Sequence, residues 1–149
     1  MSTQGAASGY AGELSVQEAW SLLETEPTAQ LIDVRTAPEW IFVGLPDLSP
    51  LGREVKRIEW QVFPSMAANP DFLATVTQAV TRSGGDRDTA VLFVCRSGVR
   101  SRSAAIALTD AGFTRAYNVA GGFEGDLDGE GHRGGRNGWK ASGLPWRQT

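Results

Sequence analysis

A single cysteine, Cys95, stands among the 149 residues, so no intrachain disulfide can close and neither a C-x-x-C zinc site nor a thioredoxin-type dithiol is available. Disulfide-stapled secreted scaffolds are excluded, and a reducing, cytoplasmic setting is expected. An excess of basic charge is also missing: fourteen Lys and Arg stand against seventeen Asp and Glu, a net charge of -3. No global positive field exists to hold nucleic acid or an anionic membrane surface, so any anion site has to be built locally. Apolar runs of membrane-spanning length, ~20 residues, are absent, and residues 1–9 carry neither the basic nor the apolar segment of an export signal. The composition is that of an ordinary globular chain, 41% hydrophobic and 21% charged, in a length that suits one domain of about 100 to 200 residues.

Residues 1–12 are small and polar, with Gly5, Gly9 and Gly12, and read as a flexible tail ahead of one domain over residues 13–149. Ser15 and Glu18 have the spacing of a capping box, and Val16, Ala19, Trp20, Leu22 and Leu23 form an apolar helical face that ends near Glu24. Residues 30–34 read as a buried strand. The prolines and glycines of residues 36–54 leave room only for a turn of helix around Glu39 to Phe42. A short strand is expected over residues 55–60. Asn69-Pro70-Asp71 has the form of a helix start, with Phe72, Leu73, Val76, Ala79 and Val80 turned inward. Residues 89–94 are apolar almost throughout, as in a parallel sheet covered on both faces. A loop over residues 95–100 leads to a helix over 101–111, with Ser101 and Ser103 as caps, and residues 115–119 form a last strand. The alternation predicts an α/β domain with a mostly parallel sheet and helices on both faces. Eight of the eighteen glycines then fall between Gly121 and Gly138; that stretch reads as loop, with a short helix over residues 122–127, and offers little core burial.

The informative run is Cys95-Arg96-Ser97-Gly98-Val99-Arg100-Ser101, between the strongest strand and a good helix. Ligands of open α/β sheets bind at the carboxyl ends of strands. A tight loop closed by a helix N-terminus gathers backbone N–H groups, and Gly98 can supply the positive φ such a nest needs. With Arg96, Arg100 and Arg102 close by and no acid among them, the loop is an anion cradle, and a thiol at its base is favoured as thiolate. A lone cysteine at the end of an apolar strand is ordinarily a small core residue; the residues after Cys95 make it a candidate nucleophile instead. His132, the only histidine, reads as a solvated loop residue. Asp33 and Arg35, after an apolar strand, read as a structural polar cluster with Glu39 at i,i+4 distance from Arg35. Trp40, Trp60, Trp139 and Trp146 read as core or rim aromatics.

The loop resembles that of the rhodanese family of single-domain sulfurtransferases, C-x-x-G-x-R before a helix. The resemblance extends to Asp33-Val34-Arg35 with Glu39-Trp40, to Asn118-Val119-Ala120-Gly121-Gly122-Phe123, and to Trp139 with Gly143-Leu144-Pro145. It implies a single rhodanese-like domain built on a five-stranded sheet, and a persulfide cycle on Cys95 with Arg96, Ser97, Gly98, Val99, Arg100 and Ser101 around the substrate and Asp33 and Arg35 supporting. Thiosulfate would be the small-molecule donor, a thiophile or a protein the acceptor, and no metal or organic cofactor is required. Leucine stands at position 45, where the family commonly has histidine, and the stretch from Glu124 to Gly138 is longer than in minimal members, as a lid or docking loop would be. Two other readings stand beside this one. A persulfide relay between proteins needs the same Cys95. A Cdc25-like phosphatase or arsenate reductase needs C-x5-R, and that arginine position holds Ser101.

Overall fold

The computed structural model describes residues 9–148. Five strands form the central sheet: β1 (Gly12–Leu14), β2 (Gln30–Asp33), β4 (Lys56–Arg57), β7 (Val91–Val94) and β8 (Ala116–Val119). Their order is β1-β8-β7-β2-β4, and every neighbouring pair is parallel. The carboxyl ends of β2, β7 and β8 therefore lie along one edge of the sheet. Register brings Asp33 opposite Val94 and Phe93 opposite Asn118. Two small antiparallel pairs complete the strands: β3 (Leu45–Pro46) with β9 (Trp146–Arg147), and β5 (Gln61–Val62) with β6 (Ala67–Ala68).

The helices are α1 (Val16–Thr25), α2 (Ala37–Phe42), α3 (Phe72–Arg82) and α4 (Val99–Asp110). Strand alternation sends successive side chains to opposite faces. Ile32, Val91 and Phe93 pack with Phe72, Val76 and Val80 of α3 and with Ala104, Ala105 and Leu108 of α4. Leu31, Leu92 and Val94 pack on the other face with Val16, Ala19 and Leu23 of α1, together with Phe123 and Trp139. The predicted α/β architecture with helices on both faces is thus the observed one. Ser15 caps α1 as its spacing predicts: its Oγ accepts from the Glu18 amide at 3.0 Å, and the Glu18 carboxylate accepts from the Ser15 amide at 2.8 Å.

Several local expectations are corrected. The tail does not extend to residue 12: Tyr10 is buried, the Ala11 amide donates to Ala116 O, and Gly12 opens the edge strand. Residues 1–8 lie outside the described residues. The α3 helix starts after Asp71 and not at Pro70. The Asn69 side chain accepts from the Asp71 amide, as a cap would, and also donates to Glu59 O. Leu73, expected inward, is exposed. The α4 helix begins two residues early, at Val99, since Gly98 with φ of 117° makes the turn that a cap would have made. No helix forms over residues 122–127; turns do.

The glycine-rich stretch is anchored at both ends. Gly134 N donates to Glu124 O, Arg133 Nη1 donates to Gly125 O, and the Asn137 side chain bonds the amide and carboxylate of Asp126. A Cβ on Gly125 would lie 2.0 Å from Asn137 O, whereas Gly129, Gly131, Gly134 and Gly135 face open space. The stretch ends at Trp139, fully buried with its Nε1 donating to Pro145 O.

Candidate active site

The carboxyl end of β7 delivers Cys95 into the interior, 1% exposed. At Gly98 the chain turns back, and the first turn of α4 aims its amides at the sulfur. Gly98 N and Ser101 N lie 3.2 and 3.4 Å from Cys95 Sγ, and Ser101 Oγ lies 3.1 Å from it. The carbonyls at the start of the loop point the other way: Cys95 O accepts from Phe123 N, and Arg96 O accepts from Glu124 N and Gly125 N. This clamp from the turn after β8 keeps acceptors away from the sulfur and leaves donors facing it. The arrangement favours negative charge at Sγ and at an atom bonded to it.

The loop arginines differ in their engagement. Arg100 is held bidentately by Glu39 of α2, with Nη1–Oε1 of 2.8 Å and Nη2–Oε2 of 3.0 Å. Arg96 is exposed, and no ion pair or side-chain hydrogen bond holds it among the described residues. Ser97 is half-buried beside it, and the Val99 side chain is 71% exposed. Arg102 pairs loosely with Glu13 at 3.6 Å. The positive field read from the loop is thus partly cancelled across the fold by a carboxylate 61 residues away.

Glu39 does not pair with Arg35, as its spacing suggested. Arg35 turns back onto Asp33, with Nη2–Oδ2 of 2.7 Å, both side chains fully buried. Its Nη2 also donates to Gly44 O, and its guanidinium lies 4.5 Å from the centre of the Phe123 ring. The Asp33–Arg35 pair therefore braces the strand end and the clamp. Ser101 is a second correction. It caps nothing, because α4 begins ahead of it, and its buried hydroxyl sits between Cys95 and Asn118. Ser103 is exposed, with its hydroxyl at the Val99 carbonyl. His132 is exposed in a turn organised by Asp128 and makes no hydrogen bond to Cys95. Among the tryptophans, Trp139 is core, Trp60 packs on Phe72, and Trp146 is partly exposed. Residue-by-residue reading missed Asn118, Glu13 and the pairing partner of Arg100. The one signal for Asn118 was a polar residue inside an otherwise apolar strand.

Burial raises the Glu39 carboxyl, but hydrogen bonds and charge from Arg100, with help from Thr36, more than offset this and hold it at about 2, against an ordinary 4.5. A depressed carboxyl contributes stability above its unfolded value, and that stability is lost as pH falls from about 4.5 towards about 2. Both side chains are only about a fifth exposed, so solvent screening is modest: 20% for Arg100 and 21% for Glu39. Glu39→Gln is expected to cost about 2–3 kcal/mol at neutral pH. In urea unfolding, its deficit against wild type should close as pH approaches about 2.

Residues 11–149 match the family model described as the STR4 middle domain. The chain is similar to Rv0390 from M. tuberculosis, whose crystal structure superposes with a TM-score of 0.80 at 51% identity, covering 94% of this chain and 99% of that one. It is 33% identical over 134 residues to protein RP600 of Rickettsia prowazekii, covering 87% of this chain and 92% of the relative. It is also 30% identical over 133 residues to the thiosulfate sulfurtransferase GlpE of Actinobacillus pleuropneumoniae, covering 89% and 90%.

Proposed function

The chain belongs to the rhodanese family of sulfurtransferases, and on that premise we propose that it carries sulfane sulfur from thiosulfate to a thiophilic acceptor as a persulfide on Cys95. The observation that carries this reading is the convergence of Gly98 N, Ser101 N and Ser101 Oγ on a single buried sulfur. The Cys95 thiolate attacks the outer sulfur of thiosulfate. The bond between that sulfur and the sulfonate sulfur breaks, and its electron pair leaves with sulfite. The acceptor then attacks the outer sulfur of Cys95–S–S⁻ and releases the Cys95 thiolate. One hard transfer becomes two easier ones.

Arg96, without a carboxylate partner among the described residues, is the cation open to the donor's sulfonate. Arg100 spends two of its five N–H groups on Glu39 and keeps three for an oxyanion. The sole cysteine supports a reducing, cytoplasmic setting, and no helix among the described residues is long and apolar enough to cross a membrane. The Arg100–Glu39 pair also supports a second reading, a relay that takes sulfur from a protein persulfide, because such a donor presents no sulfonate and needs less positive charge.

Thiosulfate:cyanide transfer and phosphatase activity measured on one preparation test the proposal, together with intact mass after exposure to thiosulfate. Transfer, one added sulfur, its removal by cyanide and no phosphatase turnover are expected. Failure of thiosulfate to add sulfur would overturn thiosulfate as donor, and loading by a protein persulfide would then favour the relay.

A further inference from the structure

Asn118 is a fully buried amide in β8. Its Nδ2 donates to Glu13 Oε1 and Oε2 at 3.0 and 3.1 Å and to Gly98 O at 3.1 Å. A carboxylate and a carbonyl carry no hydrogen, so the amide cannot be turned over without setting oxygen against oxygen. Its Oδ1 consequently faces Ser101 Oγ at 2.5 Å and requires a hydrogen from it. Ser101 has one hydroxyl hydrogen, and the same Oγ lies 3.1 Å from Cys95 Sγ. Two acceptors compete for one proton.

We infer that Asn118, oriented by Glu13 on the edge strand, is a positioning residue whose Oδ1 accepts the Ser101 O–H hydrogen bond while the Cys95 sulfur is uncharged and gives it up when that sulfur is a thiolate. A hydrogen bond to an ionised acceptor is roughly twice as strong as one between neutral groups, so charge on the sulfur decides which acceptor wins. The inference deepens the proposed function. In the persulfide the inner sulfur is divalent and neutral, and Ser101 rests on Asn118. As the acceptor takes the outer sulfur, the bonding pair returns to Sγ and the Ser101 O–H rotates onto the leaving thiolate. No proton is transferred, and the hydroxyl has a partner at both stages.

Around the sulfur Asp33 is paired with Arg35, Glu39 with Arg100, and Glu13 with Arg102, while Arg96, Glu124 of the clamp and Asp110 at the far end of α4 make no ion pair among the described residues. Tyr10 adds its hydroxyl as a donor to Glu13. Substitution at Asn118 or Ser101 removes none of these charges.

Cys95 is the only thiol, so the ultraviolet absorbance of the thiolate, with Cys95→Ser protein as blank, titrates it alone. Asn118→Ala is expected to lower the midpoint by about 0.5 to 1 pH unit, because thiolate gains the Ser101 donor without competition. Ser101→Ala raises the midpoint, and adding Asn118→Ala in that background leaves it unmoved. An Asn118→Ala shift of equal size in both backgrounds, or none in either, overturns the inference.

Should Asn118→Ala fail to fold, Glu13→Ala on the partly exposed edge strand replaces it. The charge it removes acts in both backgrounds, whereas the release of the Asn118 amide acts only through Ser101. Its shift is therefore expected to be larger with Ser101 present, and equal shifts overturn the inference. The titration uses no sulfur donor. Protein that gains no sulfur yet shows the coupled shift sinks the transfer reading and keeps the Asn118 role; uncoupled shifts with normal loading sink only this inference.

Discussion

Cys95→Ser is expected to reduce sulfur transfer to the level of the reagents without protein, a loss of about 10⁶-fold or more if the acceleration is typical of enzymes. A serine hydroxyl at this position accepts hydrogen bonds from Gly98 N and Ser101 N as the thiol does, so the loop and helix α4 retain their supports. It is, however, a weak nucleophile towards divalent sulfur at neutral pH, and with no second cysteine in the chain nothing else can hold the transferred atom. Intact mass after exposure to thiosulfate should then show no added sulfur, while the far-ultraviolet circular dichroism remains that of wild type. Turnover surviving in the serine variant would remove Cys95 from the mechanism.

Gly122→Ala is expected to disable the site from the outside, through the backbone. Gly122 has φ of +65°, and a Cβ there would come 2.5 Å from Cys95 O and 2.6 Å from Arg96 O. Those carbonyls are the ones held by the amides of residues 123–125, so relief requires the loop after Val94 to move. The left-handed backbone costs a residue with a Cβ about 1–2 kcal/mol, and overpacking adds about 1–3. A loss of about 2–5 kcal/mol lowers the thermal midpoint of a chain this size by about 4–20 °C. Differential scanning calorimetry reads that loss, and thiolate titration reads the displaced donors at Cys95. A midpoint within 1 or 2 °C of wild type, roughly 0.5 kcal/mol, would show that the loop gives way without cost.

Much of this was legible in sequence because the relevant signals are local. The apolar run that became β7, the capping box on α1, the apolar faces of the helices and the glycine turn after Cys95 all depend on residues within a few positions of one another. Their periodicities distinguish buried from exposed faces without knowledge of any neighbour. Where a local signal had two uses, tertiary structure chose between them. Asn69 accepts from the Asp71 amide as a cap would, but it also donates to Glu59 O, and the helix begins only at Phe72. Ser101 had the form of a cap but lay one turn too late and turned inward to Cys95 and Asn118. Glu39 stood at i,i+4 from Arg35, yet Arg35 found Asp33 on its own strand end and Glu39 found Arg100.

The sequence by itself determined the parallel α/β domain, the place of Cys95 at a strand end and the helix that follows it, since these depend on spacing along the chain. Only the tertiary structure decided which charges cancel and which protons are shared at the sulfur. Glu39 lies 61 residues from Arg100, and Glu13 lies 105 from Asn118. Contacts at such separations are set by strand order and register, and no local propensity encodes them.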